Sequence, residues 1–217
     1  RLQEQTQQLE WLVTRAADFQ DSKDSCLEVK LEGAKVRDFI RDFQREYRTP
    51  EDKANIGWSI SVSPKVDEAM VWDWGLLRKA LRCLIDNAFK FTPDGGHIKL
   101  SVRLAAADKV AFEVYNSGDG FSAKDTNDLF EAFAGLEGAA DNRSSRGLGL
   151  GLYLAKTYID HQGGQLSLLK SDLKGCLFQI LLPRTPYDTD QQGQVNVVDF
   201  VENARQQTLS DEKPLKG

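Results

Sequence analysis

Apolar residues in this chain recur with two different periods, in separate blocks. Leu2, Gln5, Leu9, Leu12, Ala16 and Phe19 advance by threes and fours among Gln and Glu, which predicts a long helix whose seam needs a partner helix to cover it. A second helix is predicted near Ala34 to Tyr47. Leu77, Ala80, Leu81, Leu84, Ile85 and Ala88 predict a third, from Leu76 to about Phe91, with one buried face. Leu152, Leu154, Ala155, Tyr158 and Ile159 form another helical apolar set. Between these blocks the period falls to two, predicting strands at Trp58 to Val62, Ile98 to Leu104, Val110 to Tyr115, Gln165 to Leu169 and Cys176 to Leu182. Hairpin-like neighbours, with helices gathered on one side, imply a two-layer α/β (α+β) sandwich. Consecutive strands without an intervening helix argue against a doubly wound sheet. From Pro186 onward the chain is polar and acidic, and Val195, Val198, Val201 and Ala204 predict one short amphipathic helix there.

Composition narrows the class. A chain of 217 residues with 41% hydrophobic content can bury a full core. Its formal net charge of −5, without clustered Lys and Arg interleaved with aromatics, argues against nucleic acid as a partner. Cys26, Cys83 and Cys176 form no C-x-x-C pair and suit reduced thiols in a cytoplasmic setting. No apolar run of about 20 residues is present to span a membrane, and no signal peptide opens the chain.

Three short segments carry the candidate chemistry. In Asn87-Ala88-Phe89-Lys90-Phe91-Thr92, Asn87 and Lys90 lie three apart on one helix surface. An amide oxygen can ligate a hard cation such as magnesium, an ammonium neutralises phosphate oxygens, and Phe91 supplies an apolar wall for a base. Thr92-Pro93-Asp94-Gly95-Gly96 is a turn that stops the helix. The second segment, Asn116-Ser117-Gly118-Asp119-Gly120, follows a strand, and Gly118 and Gly120 let its backbone approach a ligand closely. The third, Arg146-Gly147-Leu148-Gly149-Leu150-Gly151-Leu152, leads into a helix, whose first N–H groups make an anion site suited to a triphosphate.

From the first helix to about Pro183 the chain resembles the catalytic, ATP-binding part of a bacterial sensor histidine kinase, within the gyrase, Hsp90, histidine kinase and MutL superfamily. The boxes of that family occur in order: Leu84 to Thr92, Asn116 to Phe121, Phe130 with Phe133, and Gly147 to Leu152. The resemblance implies a Bergerat-type ATP-binding fold, preceded by a long bundle or coiled-coil helix. It implies that Asn87 holds magnesium, Lys90 touches phosphate, Phe91 packs near adenine, and the backbone of Gly147, Leu148, Gly149, Leu150 and Gly151 wraps the phosphates. Arg143 and Arg146 are further candidates for the γ-phosphate. Two positions depart from the family's pattern. Asn116 stands where an Asp usually accepts a hydrogen bond from the adenine amine, which makes that bond neutral instead of charge-assisted. Cys83 stands one turn before Asn87, where these kinases usually carry Asn and some superfamily ATPases a Glu base; a thiol is a poor partner for magnesium and a weak hydrogen-bond donor.

The division implied is the second helix of a dimerisation and phosphotransfer hairpin with its joint at residues 1–30, the ATP domain at 31–185, and an acidic extension at 186–217. The phosphorylated His of such a hairpin belongs to a first helix that this chain lacks. The only histidines, His97 at a strand start and His161 at a helix end, are placed unlike a phosphoacceptor, and their spacing excludes an H-E-x-x-H zinc site. The expected reaction is transfer of the ATP γ-phosphoryl group to a His on another segment, for relay to the receiver domain of a response regulator. The expected assembly is a homodimer through the N-terminal helix. Two alternatives stand beside this: a nucleotide-sensing or partner-docking module with little kinase activity, and a related ATPase or serine-directed anti-sigma kinase.

Overall fold

The computed structural model describes residues 13–14, 16–20, 27–47, 49–50, 53–66, 68–105, 108–121, 128–134, 149–172 and 174–184. In chain order the elements are β1 (Glu32–Lys35), α1 (Val36–Glu46), β2 (Gly57–Val62), β3 (Ala69–Trp72), α2 (Trp74–Phe91), β4 (His97–Ala105), β5 (Lys109–Asn116), α3 (Gly151–Asp160), β6 (Gln165–Asp172) and β7 (Gly175–Pro183). Residues 13–14 and 16–20 are also helical. Leu2, Gln5, Leu9 and Leu12 of the expected long helix lie outside the described residues, as do Cys26 and the Val195 to Ala204 stretch.

Five strands form one sheet in the order β2-β4-β5-β7-β6. The β2–β4 pair is parallel, with α2 in the crossover between the two strands, and the other pairs are antiparallel. Alternation sends Ile98, Leu100 and Val102 of β4, Val110, Phe112 and Val114 of β5, and Phe178, Ile180 and Leu182 of β7 into a single core. The helices cover that face. Val36, Phe39, Ile40 and Phe43 of α1 recur at i, i+3, i+4 and i+7, and α3 contributes Leu154, Ala155, Tyr158 and Ile159. Cys83 and Cys176 are both buried thiols. The result is the two-layer sandwich expected from the sequence.

A small second sheet was not expected. β1 and β3 pair antiparallel from Glu32↔Trp72 to Lys35↔Ala69, so Ala34 belongs to a strand and α1 begins at Val36. Trp72 is completely buried, and its indole N–H donates to Pro183 O at 2.8 Å, fastening this ribbon to the end of β7. Among the described residues, no helix is long and apolar enough to cross a membrane.

Candidate functional site

The position of α2 is set at both ends. At its N-terminus the Asp73 carboxylate accepts from Leu76 N at 2.8 Å and from Lys30 N at 2.7 Å. The Asp73 N–H donates to Gln162 Oε1 at 3.2 Å, which ties the start of α2 to the chain just beyond α3. At its C-terminus the buried Thr92 hydroxyl donates to Ala88 O at 2.7 Å, and Pro93 then prevents another turn.

Asn87, Lys90 and Phe91 occupy that last part of α2. Asn87 is half-buried, and no described residue hydrogen-bonds its amide. Its neighbour Asp86 accepts from the Tyr47 hydroxyl at 3.0 Å. Burial first, then the Asp86 charge and its hydrogen bond, hold that hydroxyl well above the usual phenol range, so Tyr47 is a permanent donor there. The Lys90 ammonium sits 4.9 Å from the centre of the Phe91 ring, and Phe91 is 48% exposed.

Asn116 ends β5, opposite Ile98 of β4 and Cys176 of β7, and only 4% of its surface is exposed. Its Nδ2 donates to Ser117 O at 3.3 Å, while its Oδ1 accepts nothing from the described residues. A buried acceptor without a partner is rare and calls for a ligand or a water. Ser117 is pinned to the start of β4, donating N–H to His97 O at 2.9 Å and accepting His97 N–H on its hydroxyl at 2.8 Å. At Gly118 φ is +132°, and an added Cβ would come within 2.9 Å of Phe91 O. The loop therefore lies on the end of α2. Phe121 then meets the Phe91 ring edge-on at 6.4 Å, and its N–H donates to the Ser171 hydroxyl at 2.6 Å. A Cβ on Gly120 would stand 2.6 Å from that same hydroxyl.

The third segment reaches the site through α3, which packs along α2. Leu150 is the residue before α3, and its apolar side chain offers no cap to the first N–H groups of that helix. That end can receive an anion. Gly149 and Leu150 lead into it, whereas Arg143, Arg146, Gly147 and Leu148 lie outside the described residues. Of the two phenylalanines ahead of this segment, Phe130 packs on Phe178 at 6.4 Å, but Phe133 is 45% exposed and is not a core anchor.

The histidines stand apart from these groups. His161 follows α3, and its Nδ1 lies 2.9 Å from Thr157 O, the helix-end contact its position suggests. His97 is exposed at the head of β4, with its ring 5.3 Å from that of Tyr115. No cluster of three His, Cys, Asp or Glu side chains that could hold a metal ion occurs among the described residues. Sequence reasoning missed one polar group altogether: the carboxylate of Asp18 is buried between Lys79 of α2 and Tyr158 of α3. Nothing local marks it, since its partners lie 61 and 140 residues away.

Comparison with known proteins bears on this arrangement. Residues 73–186, just over half of the chain, match the family described as histidine kinase-, DNA gyrase B-, and HSP90-like ATPase. The sensor protein KdpD of Clostridium acetobutylicum is 32% identical over 126 residues, which make up 58% of this chain and 14% of that protein. Full-length ShkA in complex with AMPPNP superposes with a TM-score of 0.70 at 24% identity, over 87% of this chain and 38% of that one. Histidine kinase ThkA in complex with the response regulator protein TrrA gives 0.63 at 22% identity, over 83% of this chain and 49% of that one. At those identities the two structures establish likeness of fold. The chain therefore spans a minor part of the KdpD relative it matches.

Proposed function

Because the chain belongs to the histidine kinase-, DNA gyrase B- and HSP90-like ATPase family, we propose that it is the ATP-binding catalytic part of a sensor histidine kinase. Residues 31–185 are the ATP domain, residues 1–30 the second helix of a dimerisation and phosphotransfer hairpin with its joint, and residues 186–217 an extension. The observation that carries the reading is the buried acceptor Asn116 Oδ1, to which no described residue donates, at the end of a strand whose following loop lies at Gly118 on Phe91, the C-terminal residue of α2. That combination suits the exocyclic amine and the face of adenine.

The phosphates would run from there toward the start of α3, to which Leu150 gives no side-chain cap. The backbone from Gly147 to Gly151 and the Lys90 ammonium would neutralise their oxygens, with Arg143 and Arg146 as further cations. The half-buried amide of Asn87, without a hydrogen-bond partner among the described residues, fits one ligand position of magnesium. When bound, that ion would neutralise phosphate charge and orient the terminal phosphoryl group. Transfer needs positioning more than covalent help from the protein, so the remaining component is an acceptor His on another segment. We place that segment on a homodimeric hairpin in the cytoplasm, with a response-regulator receiver domain as the onward acceptor. A second reading, nucleotide binding without turnover, draws support from Cys83, which is 1% exposed one turn before Asn87 and is a weak hydrogen-bond donor and a poor magnesium ligand.

Calorimetry tests the pocket. The chain should bind ATP, more tightly with magnesium than without it, and Asn87→Ala should remove that difference while leaving the metal-free affinity in place. Equal affinity in both conditions for the parent chain would overturn the metal assignment. Absence of binding would overturn the function.

A further inference from the structure

We infer that Asp18 and Phe19 are positioning residues for the phosphate end of the nucleotide site, acting through Phe133 and Gly149; this rests on the nucleotide reading above. Asp18 is 7% exposed. Both its oxygens lie 2.9 Å from the Lys79 ammonium, and Oδ2 also accepts the Tyr158 hydroxyl at 2.6 Å. Lys79 belongs to α2 and Tyr158 to α3, so one carboxylate spans the two helices that flank the site. The Lys79 ammonium in addition lies 5.5 Å from the centre of the Tyr158 ring. A buried carboxylate that loses its donors is strongly unfavourable, so this set of partners fixes where residues 16–20 sit.

The adjacent side chain converts that placement into a grip. The Phe19 ring meets Phe133 edge-on at 5.3 Å and Tyr153 at 5.5 Å. Those two residues bracket the Gly149 to Gly151 backbone. Tyr153 stands in the first turn of α3, and Phe133 N–H donates to Gly149 O at 3.1 Å. The two backbones are in direct contact, because a Cβ on Gly149 would fall 2.7 Å from Ala134 O and 2.8 Å from Phe133 C. Phe133 itself has φ of +67°, a left-handed conformation that is strained for a bulky residue and persists only where its surroundings enforce it. Phe19 provides such enforcement. Releasing it lets Phe133 relax and loosens the backbone that faces the phosphates. The adenine end is assembled separately, from β5, Ser117 and the C-terminus of α2.

The consequence is selective. Calorimetry on the intact chain, with ATP and with AMP, should compare the parent with Asp18→Asn, Phe19→Ala, Phe19→Leu and the Asp18→Asn/Phe19→Ala double variant. Asp18→Asn and Phe19→Ala should weaken ATP about fivefold or more while AMP stays within about twofold. Phe19→Leu should recover most of the loss, and the double variant should fall short of the sum of the singles, since both act along one path. Tyr158→Phe, which removes only the hydroxyl, should reproduce part of the Asp18→Asn effect and serves if Asp18→Asn fails to fold in thermal unfolding. Equal losses for ATP and AMP, as a merely structural role would give, would overturn the inference, and so would an ATP affinity indifferent to both residues or strictly additive losses. A parent chain that binds ATP while its variants show these patterns isolates the inference. A parent that binds neither nucleotide overturns the nucleotide reading and this inference with it.

Discussion

Asn116 holds a neutral acceptor in a buried place, and its own Nδ2 donates to Ser117 O at 3.3 Å. Substituting Asp replaces the neutral acceptor by a charged one but sets a carboxylate oxygen against that carbonyl. Asn116→Asp is therefore expected to tighten ATP by about 1 kcal/mol in calorimetry, while lowering the thermal midpoint of the nucleotide-free chain. A weaker ATP affinity would mean that repulsion at Ser117 dominates and turns the side chain away from the base. Much of this was legible in the sequence, because strand alternation ending at Tyr115 puts Asn116 at a strand mouth and helical phase puts Asn87 and Lys90 on one surface. What surrounds them was not. The Tyr47 hydroxyl that holds Asp86 beside Asn87 comes from 39 residues away, and an Oδ1 to which no described residue donates is a fact about neighbours that no local pattern contains.

The start of α2 depends on one side chain, because Asp73 caps the helix and also accepts from Lys30 N. Asp73→Ala should destabilise the chain by about 2 kcal/mol, the upper end for a lost cap, as measured by urea unfolding. A change below a few tenths would show that water replaces both bonds. Apolar spacing predicted this helix from Leu76, and its observed start at Trp74 is the addition made by the cap. The five strands of the large sheet were readable because each has at least six residues, enough for an alternating apolar face to show. β1 and β3 have four residues each, too few to establish a period, and Ala34 followed by Val36 reads equally well as the beginning of α1. Pairing between β1 and β3, 37 or so positions apart, decides the matter.

Taken whole, the molecule is expected to bind ATP without labelling itself. His161 is tied to the end of α3 and His97 to the head of β4, and positioning dominates phosphoryl transfer. Incubation with γ-labelled ATP should leave no acid-labile phosphate on the isolated chain, whereas an added hairpin carrying an acceptor His should become labelled in trans. Stable label on His97 or His161 would contradict the assignment. The sandwich was foreseeable from the order of the elements, but not the docking of residues 16–20 onto α2 and α3, since Asp18 and Tyr158 are separated by most of the chain. The bond from Phe133 N–H to Gly149 O has another outcome: it closes the chain on itself between positions sixteen apart, so the sheet and α3 do not register how much chain intervenes. Loop closure grows only logarithmically, and doubling the intervening length costs about 0.6 kcal/mol. Chain inserted between those two residues would therefore cost the rest of the fold little.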